Sequence, residues 1–141
     1  RFDAVSREYR YYIYQHKNPF LQDVAYYVPY TIDMELMQLA AKEIKGYTDF
    51  TSFSKRNTQV TSFNCTIYKS EWVQEEDCFV YKVKANRFLR GMVKGLVGTM
   101  LLVGKRKISI QDFKQIIQLK DCTKADFSVS SYGLFLHEVT F

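Results

Sequence analysis

The chain has 141 residues, of which 47% are hydrophobic, and a formal net charge of +5. This apolar content suffices for one domain with its own core. Two histidines and three widely spaced cysteines, Cys65, Cys78 and Cys122, predict neither a metal site nor a disulfide framework. The odd number and wide spacing of the cysteines predict reduced thiols in a cytoplasmic protein. The longest apolar run, residues 96–104, is too short to span a membrane, so we expect no membrane partner.

The first half of the chain predicts one strand and one helix. Residues 8–15 are rich in β-formers, with Tyr9 on one face and Arg10 on the other. Residues 16–29 contain two prolines and predict a loop. Asp33 is a candidate cap for a helix that ends near Lys45, before Gly46. A short turn at 49–53 and an exposed basic loop at 54–60 follow.

The second half predicts a hairpin, two helices and a last strand. Strands at 61–73 and 78–86 flank an acidic turn. A helix from Phe88 to Val103 is followed by one that begins with a capping box, Ser109 with Asp112. Residues 133–141 alternate as a strand. This order predicts an α+β fold, in which a mostly antiparallel sheet has helices packed on one face. The other face would carry aromatic and cationic side chains, which suit RNA.

Two basic residues in the second half of the chain form the first candidate site. Arg90 and Lys94 are four residues apart in the predicted apolar helix and therefore share a helix face. Such a pair favours an anion, either a phosphate or a carboxylate from another part of the protein. The further cations are candidate phosphate contacts, although a solvated surface explains them almost as well: Arg10, Lys55, Arg56, Lys105, Arg106 and Lys107.

Four segments resemble motifs of the tRNA pseudouridine synthase A family, and they occur in the family's order. Residues 7–13 contain the R-x-Y-x-Y strand, and residues 46–53 match G-x-x-D-F-x-x-F. Residues 85–94 match A-N-x-F-L-x-x-M-V-[RK]. Residues 133–136 match the closing G-L-Y-L, with Phe135 in place of tyrosine. Together the four matches span nearly the whole chain.

The resemblance implies a pseudouridine synthase-like fold and an isomerase that converts uridine to pseudouridine in the tRNA anticodon stem-loop, at nucleotides 38 to 40. It also implies tRNA as partner, no cofactor and a homodimer. In the family an aspartate detaches the base from the sugar, the uracil turns, and C5 rejoins C1′. That aspartate lies in an R-T-D-x-G-V-H-A motif of the N-terminal half, which this sequence lacks.

Residues 1–141 are therefore expected to be the C-terminal domain of such an enzyme and to be inactive alone. Two other hypotheses remain open. The chain could be a non-catalytic RNA-binding module, or a structural half that supplies mainly core and dimer contacts.

The resemblance also assigns roles to individual residues. Tyr9 would stack on the target base and assist proton handling at C5, and Lys94 would pair with the catalytic aspartate, where the family more often has arginine. Leu136 would form an apolar wall of the base site, although a core position is equally compatible with its strand. The other expected substrate-binding residues are Gly133, Arg10 and Arg90.

Overall fold

The computed structural model describes residues 4–56 and 60–141 as a five-stranded sheet with three α-helices. The strands are β1 (Ser6–Tyr14), β2 (Tyr26–Tyr27), β3 (Ile67–Glu75), β4 (Cys78–Ala85) and β5 (Leu134–Thr140). The helices are α1 (Met34–Ile44), α2 (Met92–Gly104) and α3 (Ile110–Leu119). The predicted α+β class and the hairpin of β3 and β4 are confirmed. Residues 57–59 of the predicted basic loop lie outside the described residues.

Strand β1 organises the sheet, since three other strands pair with it. β4 lies antiparallel along one edge of β1 and is followed outward by β3. The other edge is shared, because β5 pairs antiparallel with residues 6–11 and β2 pairs parallel with residues 13–14. The sheet is therefore mixed, and the short parallel strand falls within a segment that we predicted to be a loop.

The main core lies between the helices and one face of the sheet. Tyr11 and Ile13 of β1 and Tyr81 of β4 are fully buried there, and Leu96 of α2 packs in the same cluster. Burying an aliphatic or aromatic side chain of this size contributes roughly 1.5–3 kcal/mol. The alternation predicted for β1 therefore points Tyr9 and Tyr11 toward the helices.

The opposite face of the sheet carries aromatic and charged side chains, as predicted, but several cations are paired there. Glu8 is 3% exposed and accepts hydrogen bonds from Lys69 Nζ at 3.1 Å and Arg10 Nε at 3.2 Å. Burial raises the pKa of Glu8, but these two cations lower it on balance. Lys82 pairs with Glu75 at 2.6 Å. Acidic side chains thus offset part of the positive charge of this face.

Helix starts follow the predicted caps at two of the three helices. Asp33 Oδ1 accepts a hydrogen bond from the Leu36 amide at 3.1 Å at the start of α1. Ser109 and Asp112 form the predicted capping box at the start of α3. Caps of this kind contribute about 1 kcal/mol each. None of the described helices is both long and apolar enough to cross a membrane.

The predicted starts of β3 and α2 are wrong. The third strand begins at Ile67, because residues 61–66 instead follow the loop at 48–50, where the Cys65 amide donates to the Thr48 carbonyl. Helix α2 begins at Met92, because Gly91 has a φ of 73° and interrupts the right-handed backbone. Arg90 therefore precedes the helix and does not share a helix face with Lys94.

The segment before β5 crosses α2 in direct backbone contact. A Cβ atom at Gly98 would collide with the carbonyl oxygen of Asp126. The neighbouring Thr99 Oγ1 accepts a hydrogen bond from the Asp126 amide at 3.0 Å. We call residues 125–133 the crossing segment. It leads directly from the surface of α2 into β5.

Candidate active site

Tyr9 and Leu136 face each other across the pairing of β1 and β5. The two residues are Cα partners in the antiparallel register, so their side chains lie on the same face of the sheet. The Tyr9 ring packs edge-on against Phe88, with ring centroids 4.8 Å apart. Leu136 is 52% exposed, which leaves its apolar surface open beside Tyr9.

Lys94 lies in the first turn of α2 and reaches the crossing segment. Its Nζ donates a hydrogen bond to Ser131 Oγ at 3.3 Å. Among residues 4–56 and 60–141, Lys94 takes part in no ion pair. Its neighbour Val93 packs in the core cluster that also contains Tyr11, so α2 covers the sheet face on which Tyr9 lies.

The structure thus places three predicted site residues on one side of the sheet. Tyr9 and Leu136 are register partners, and Lys94 is bonded to the segment that leads into β5. This side combines an aromatic ring, an apolar side chain and a half-buried cation. Such a set can hold a planar base and stabilise a negative charge beside it.

Gly133 has a packing role in this arrangement. It is buried, and a Cβ atom there would lie 2.6 Å from the Tyr12 carbonyl oxygen and 2.9 Å from the Tyr11 ring. The phenol of Tyr11 also donates a hydrogen bond to the carbonyl of Ser130. Burial raises the pKa of Tyr11, which keeps this donor protonated. Gly133 and Tyr11 together hold the crossing segment against β1.

The two arginines of the predicted site lie in different places. Arg10 is on the opposite face of the sheet from Tyr9, paired with Glu8. Arg90 is exposed, and its carbonyl accepts a hydrogen bond from the Lys55 amide at 2.9 Å. The side chain of Lys55 packs on Gly91, so Arg90 and Lys55 form a basic pair at the start of α2.

Two of the other candidate phosphate-binding cations have partners within the domain. Arg106 pairs with Asp33 at 2.5 Å, and Lys105 Nζ lies 4.6 Å from the centroid of the Tyr30 ring. Lys107 and Arg56 are exposed. Among the cations of residues 105–107, Lys107 is therefore the better candidate for a phosphate contact.

Sequence reasoning missed Ser131, the hydrogen-bond acceptor for Lys94. The serines at 128, 130 and 131 precede Gly133 and are typical of a turn. That local signal indicates a turn but gives no sign of a partner 37 positions earlier. Only the crossing of the segment over α2 brings the two side chains together.

Comparisons with known proteins give one consistent result. Residues 40–141 match the family described as tRNA pseudouridine synthase. The whole chain aligns with the tRNA pseudouridine synthase A of Parabacteroides distasonis, at 45% identity over 141 residues, and of Bacteroides fragilis, at 42% over 142 residues. The corresponding protein of Staphylococcus aureus strain MSSA476 is 36% identical over 99% of the chain.

These relatives are longer proteins. The alignments cover 56% of the first two relatives and 53% of the third, so the chain spans about half the length of the curated relatives it matches. The family match covers the last part of α1, from residue 40, and every later element of the chain. The chain belongs to the tRNA pseudouridine synthase family.

Proposed function

We propose that the full-length protein containing this chain isomerises uridine to pseudouridine in the anticodon stem-loop of tRNA, at nucleotides 38 to 40. One observation carries the proposal. Lys94 is a half-buried cation that has no carboxylate partner in the described part of the chain, and it lies on the same side of the sheet as Tyr9. The family membership supplies the reaction to which this geometry is suited.

In this proposal the missing carboxylate is an aspartate from outside residues 1–141. The ammonium of Lys94 stabilises its ionised form and so maintains its nucleophilicity. During the reaction the N1–C1′ bond of the uridine breaks and a C5–C1′ bond forms. A proton leaves C5 and another is gained at N1, so the isomerisation is balanced without a cofactor.

Tyr9 and Leu136 hold the base in this proposal. The Tyr9 ring stacks on the uracil, and Leu136 contacts it from the β5 side. Base stacking on an aromatic side chain is worth about 1–3 kcal/mol. The Tyr9 hydroxyl, which can donate or accept, takes part in moving the C5 proton.

Phosphates of the RNA are expected at exposed or partly exposed cations on the helix side. Arg90 and Lys55 adjoin the start of α2, so they are the best placed of these residues to contact RNA held near Lys94. We also infer a cytoplasmic homodimer. The family resemblance supports the dimer, and a tRNA substrate together with the free cysteines supports the compartment.

The deciding experiment is a pseudouridine assay of the full-length protein on an anticodon stem-loop RNA. The expected result is pseudouridine at positions 38 to 40, and the matched control is the same RNA with cytidine at those positions. Tight binding without product would contradict the proposal and favour an RNA-binding module. Product formed by the 141-residue chain alone would contradict the assignment of the nucleophile to another segment.

A further inference from the structure

A cleft beside the crossing segment is rich in tyrosine. It has a volume of about 580 Å³ and lies between β2 and the residues that precede β5. Its lining includes Tyr14, Tyr26, Tyr27 and Tyr132, together with Lys17 and Ser130. We call it the tyrosine cleft. None of these residues belongs to the site assigned to Tyr9, Lys94 and Leu136.

Some of the aromatic rings in and beside the cleft are buried, and others are exposed to solvent. Tyr14 is buried and packs against Tyr27, with ring centroids 5.1 Å apart. Tyr132 is 60% exposed, and Phe20, next to the lining residue Pro19, is 91% exposed. The anchored rings give the cleft a fixed wall, while the exposed rings offer free faces for a planar group.

We propose that the tyrosine cleft binds a second nucleotide of the RNA that carries the target uridine, with its base against the tyrosine rings and its phosphate near Lys17. This inference rests on the proposed function. The link to the target site is Ser131, which lies between the cleft residues Ser130 and Tyr132 and accepts the hydrogen bond of Lys94.

The chemistry of the lining favours a nucleotide over a purely apolar group. Tyrosine supplies a stacking face and a hydroxyl, and the lining adds the amides of Asn18 and Gln22 and the ammonium of Lys17. In the described part of the chain, the hydroxyls of Tyr27 and Tyr132 form no hydrogen bond to another protein group, so both can bind a base edge or a sugar.

The spacing along β1 separates the two positions. Tyr14 follows Tyr9 by five residues, which corresponds to about 17 Å of strand at roughly 3.3 Å per residue. One base cannot occupy both places. A single-stranded loop that crosses the sheet edge can present one base at Tyr9 and another at the tyrosine cleft.

The test is a double-mutant cycle between Tyr132→Ala and an abasic site, moved one nucleotide at a time through the loop of the stem-loop RNA. The full-length protein is used, and dissociation constants are measured for every combination. Tyr68→Ala is the matched control, because Tyr68 is 50% exposed on β3, away from the cleft. Tyr132→Phe tests whether the ring alone suffices.

We expect Tyr132→Ala to weaken binding of the intact RNA about 5-fold or more, which is the loss that stacking energies predict. Tyr132→Phe should keep most of the affinity, and Tyr68→Ala should bind like the wild type. One abasic position should abolish the difference between wild type and Tyr132→Ala. Equal binding by Tyr132→Ala, or the same loss with every abasic RNA, would overturn the proposal.

The two proposals fail separately in this design. If the wild type forms pseudouridine and no abasic position couples to Tyr132, the cleft proposal fails and the proposed function stands. If the coupling is found but the wild type forms no pseudouridine, the cleft is an RNA site and the proposed function fails.

Discussion

The ammonium of Lys94 and the hydroxyl of Ser131 are joined by a 3.3 Å hydrogen bond that spans 37 positions of sequence. A serine hydroxyl orients the cation but does not neutralise it. The positive charge therefore remains available to a carboxylate, which is what the proposed pairing with a catalytic aspartate requires. This contact links α2 to the segment that leads into β5.

We predict that Lys94→Met in the full-length protein lowers kcat by at least about 100-fold while the protein still folds, because the half-buried site loses a charge and retains a flexible chain of similar length. Lys94→Arg should retain most activity. Single-turnover pseudouridine formation and circular dichroism measure the two effects. The control is Lys45→Met, which removes an exposed cation with no assigned role in the chemistry or in RNA binding. Normal turnover by Lys94→Met would refute the assignment.

Tyr9→Phe is predicted to slow turnover much more than it weakens tRNA binding. The substitution keeps the ring and its edge-on contact with Phe88 but removes the hydroxyl that handles the proton. Comparison of kcat with the dissociation constant separates the two roles. Tyr68→Phe on β3 controls for general loss of a tyrosine hydroxyl. If turnover is unchanged, Tyr9 serves only for stacking or packing, and Tyr9→Leu then measures the stacking.

Gly133→Ala should destabilise the protein by about 1–3 kcal/mol. The added methyl group would lie 2.6 Å from the Tyr12 carbonyl oxygen, and backbone cannot move aside as readily as a flexible side chain. Chemical denaturation measures the loss. Gly46→Ala is the matched control, since its methyl group would meet the Glu43 carbonyl at an ordinary 3.4 Å. Equal stability of the two variants would contradict the close packing of the crossing segment on β1.

Glu8→Gln is predicted to cost about 1 kcal/mol at neutral pH, because Lys69 and Arg10 lose a charged acceptor but remain partly exposed. The pKa of Glu8 is lowered in the folded protein, so its contribution is present above the pKa of the unfolded chain and is lost as pH falls through the folded pKa. The difference between wild type and variant should therefore shrink below about pH 4. A difference that stays constant down to pH 2.5 would exclude this electrostatic origin.

Arg90→Gln should reduce the slope of the logarithm of tRNA affinity against the logarithm of salt concentration by about 1, which corresponds to the loss of one phosphate contact. The slope is obtained from dissociation constants measured between about 50 and 200 mM salt, a range over which phosphate contacts weaken measurably. Arg106→Gln is the control, because Arg106 is paired with Asp33. The same slope for wild type and Arg90→Gln would remove Arg90 from the RNA interface.

Local chemistry explains which parts of the fold could be predicted. Asp33 and Ser109 cap their helices through atoms three residues away, so the sequence alone indicates where α1 and α3 begin. The start of α2 was misplaced because Phe88 and Leu89 continue its apolar pattern. The left-handed backbone at Gly91 separates Phe88 and Leu89 from the helix. In the sequence, the glycine itself is the only sign of this interruption.

Long-range pairing explains what could not be predicted. β2 has two residues and exists only through its pairing with Ile13 and Tyr14. The motifs identified Tyr9, Lys94 and Leu136 individually, but the register that sets Leu136 opposite Tyr9 and the crossing that joins Lys94 to Ser131 depend on the tertiary fold. The roles of these three residues in catalysis stay predictions.

The contact between Gly98 and the Asp126 carbonyl has a consequence for the evolution of the site. Because main-chain atoms meet there, the gap between α2 and the crossing segment is set at Gly98 by the peptide backbone and not by the volume of a side chain. The side chain at position 94 therefore extends from a helix whose position against the crossing segment is fixed. Exchange of lysine for the longer arginine would alter how far the positive charge projects without any repacking of the domain, so the cation can vary while the frame stays the same.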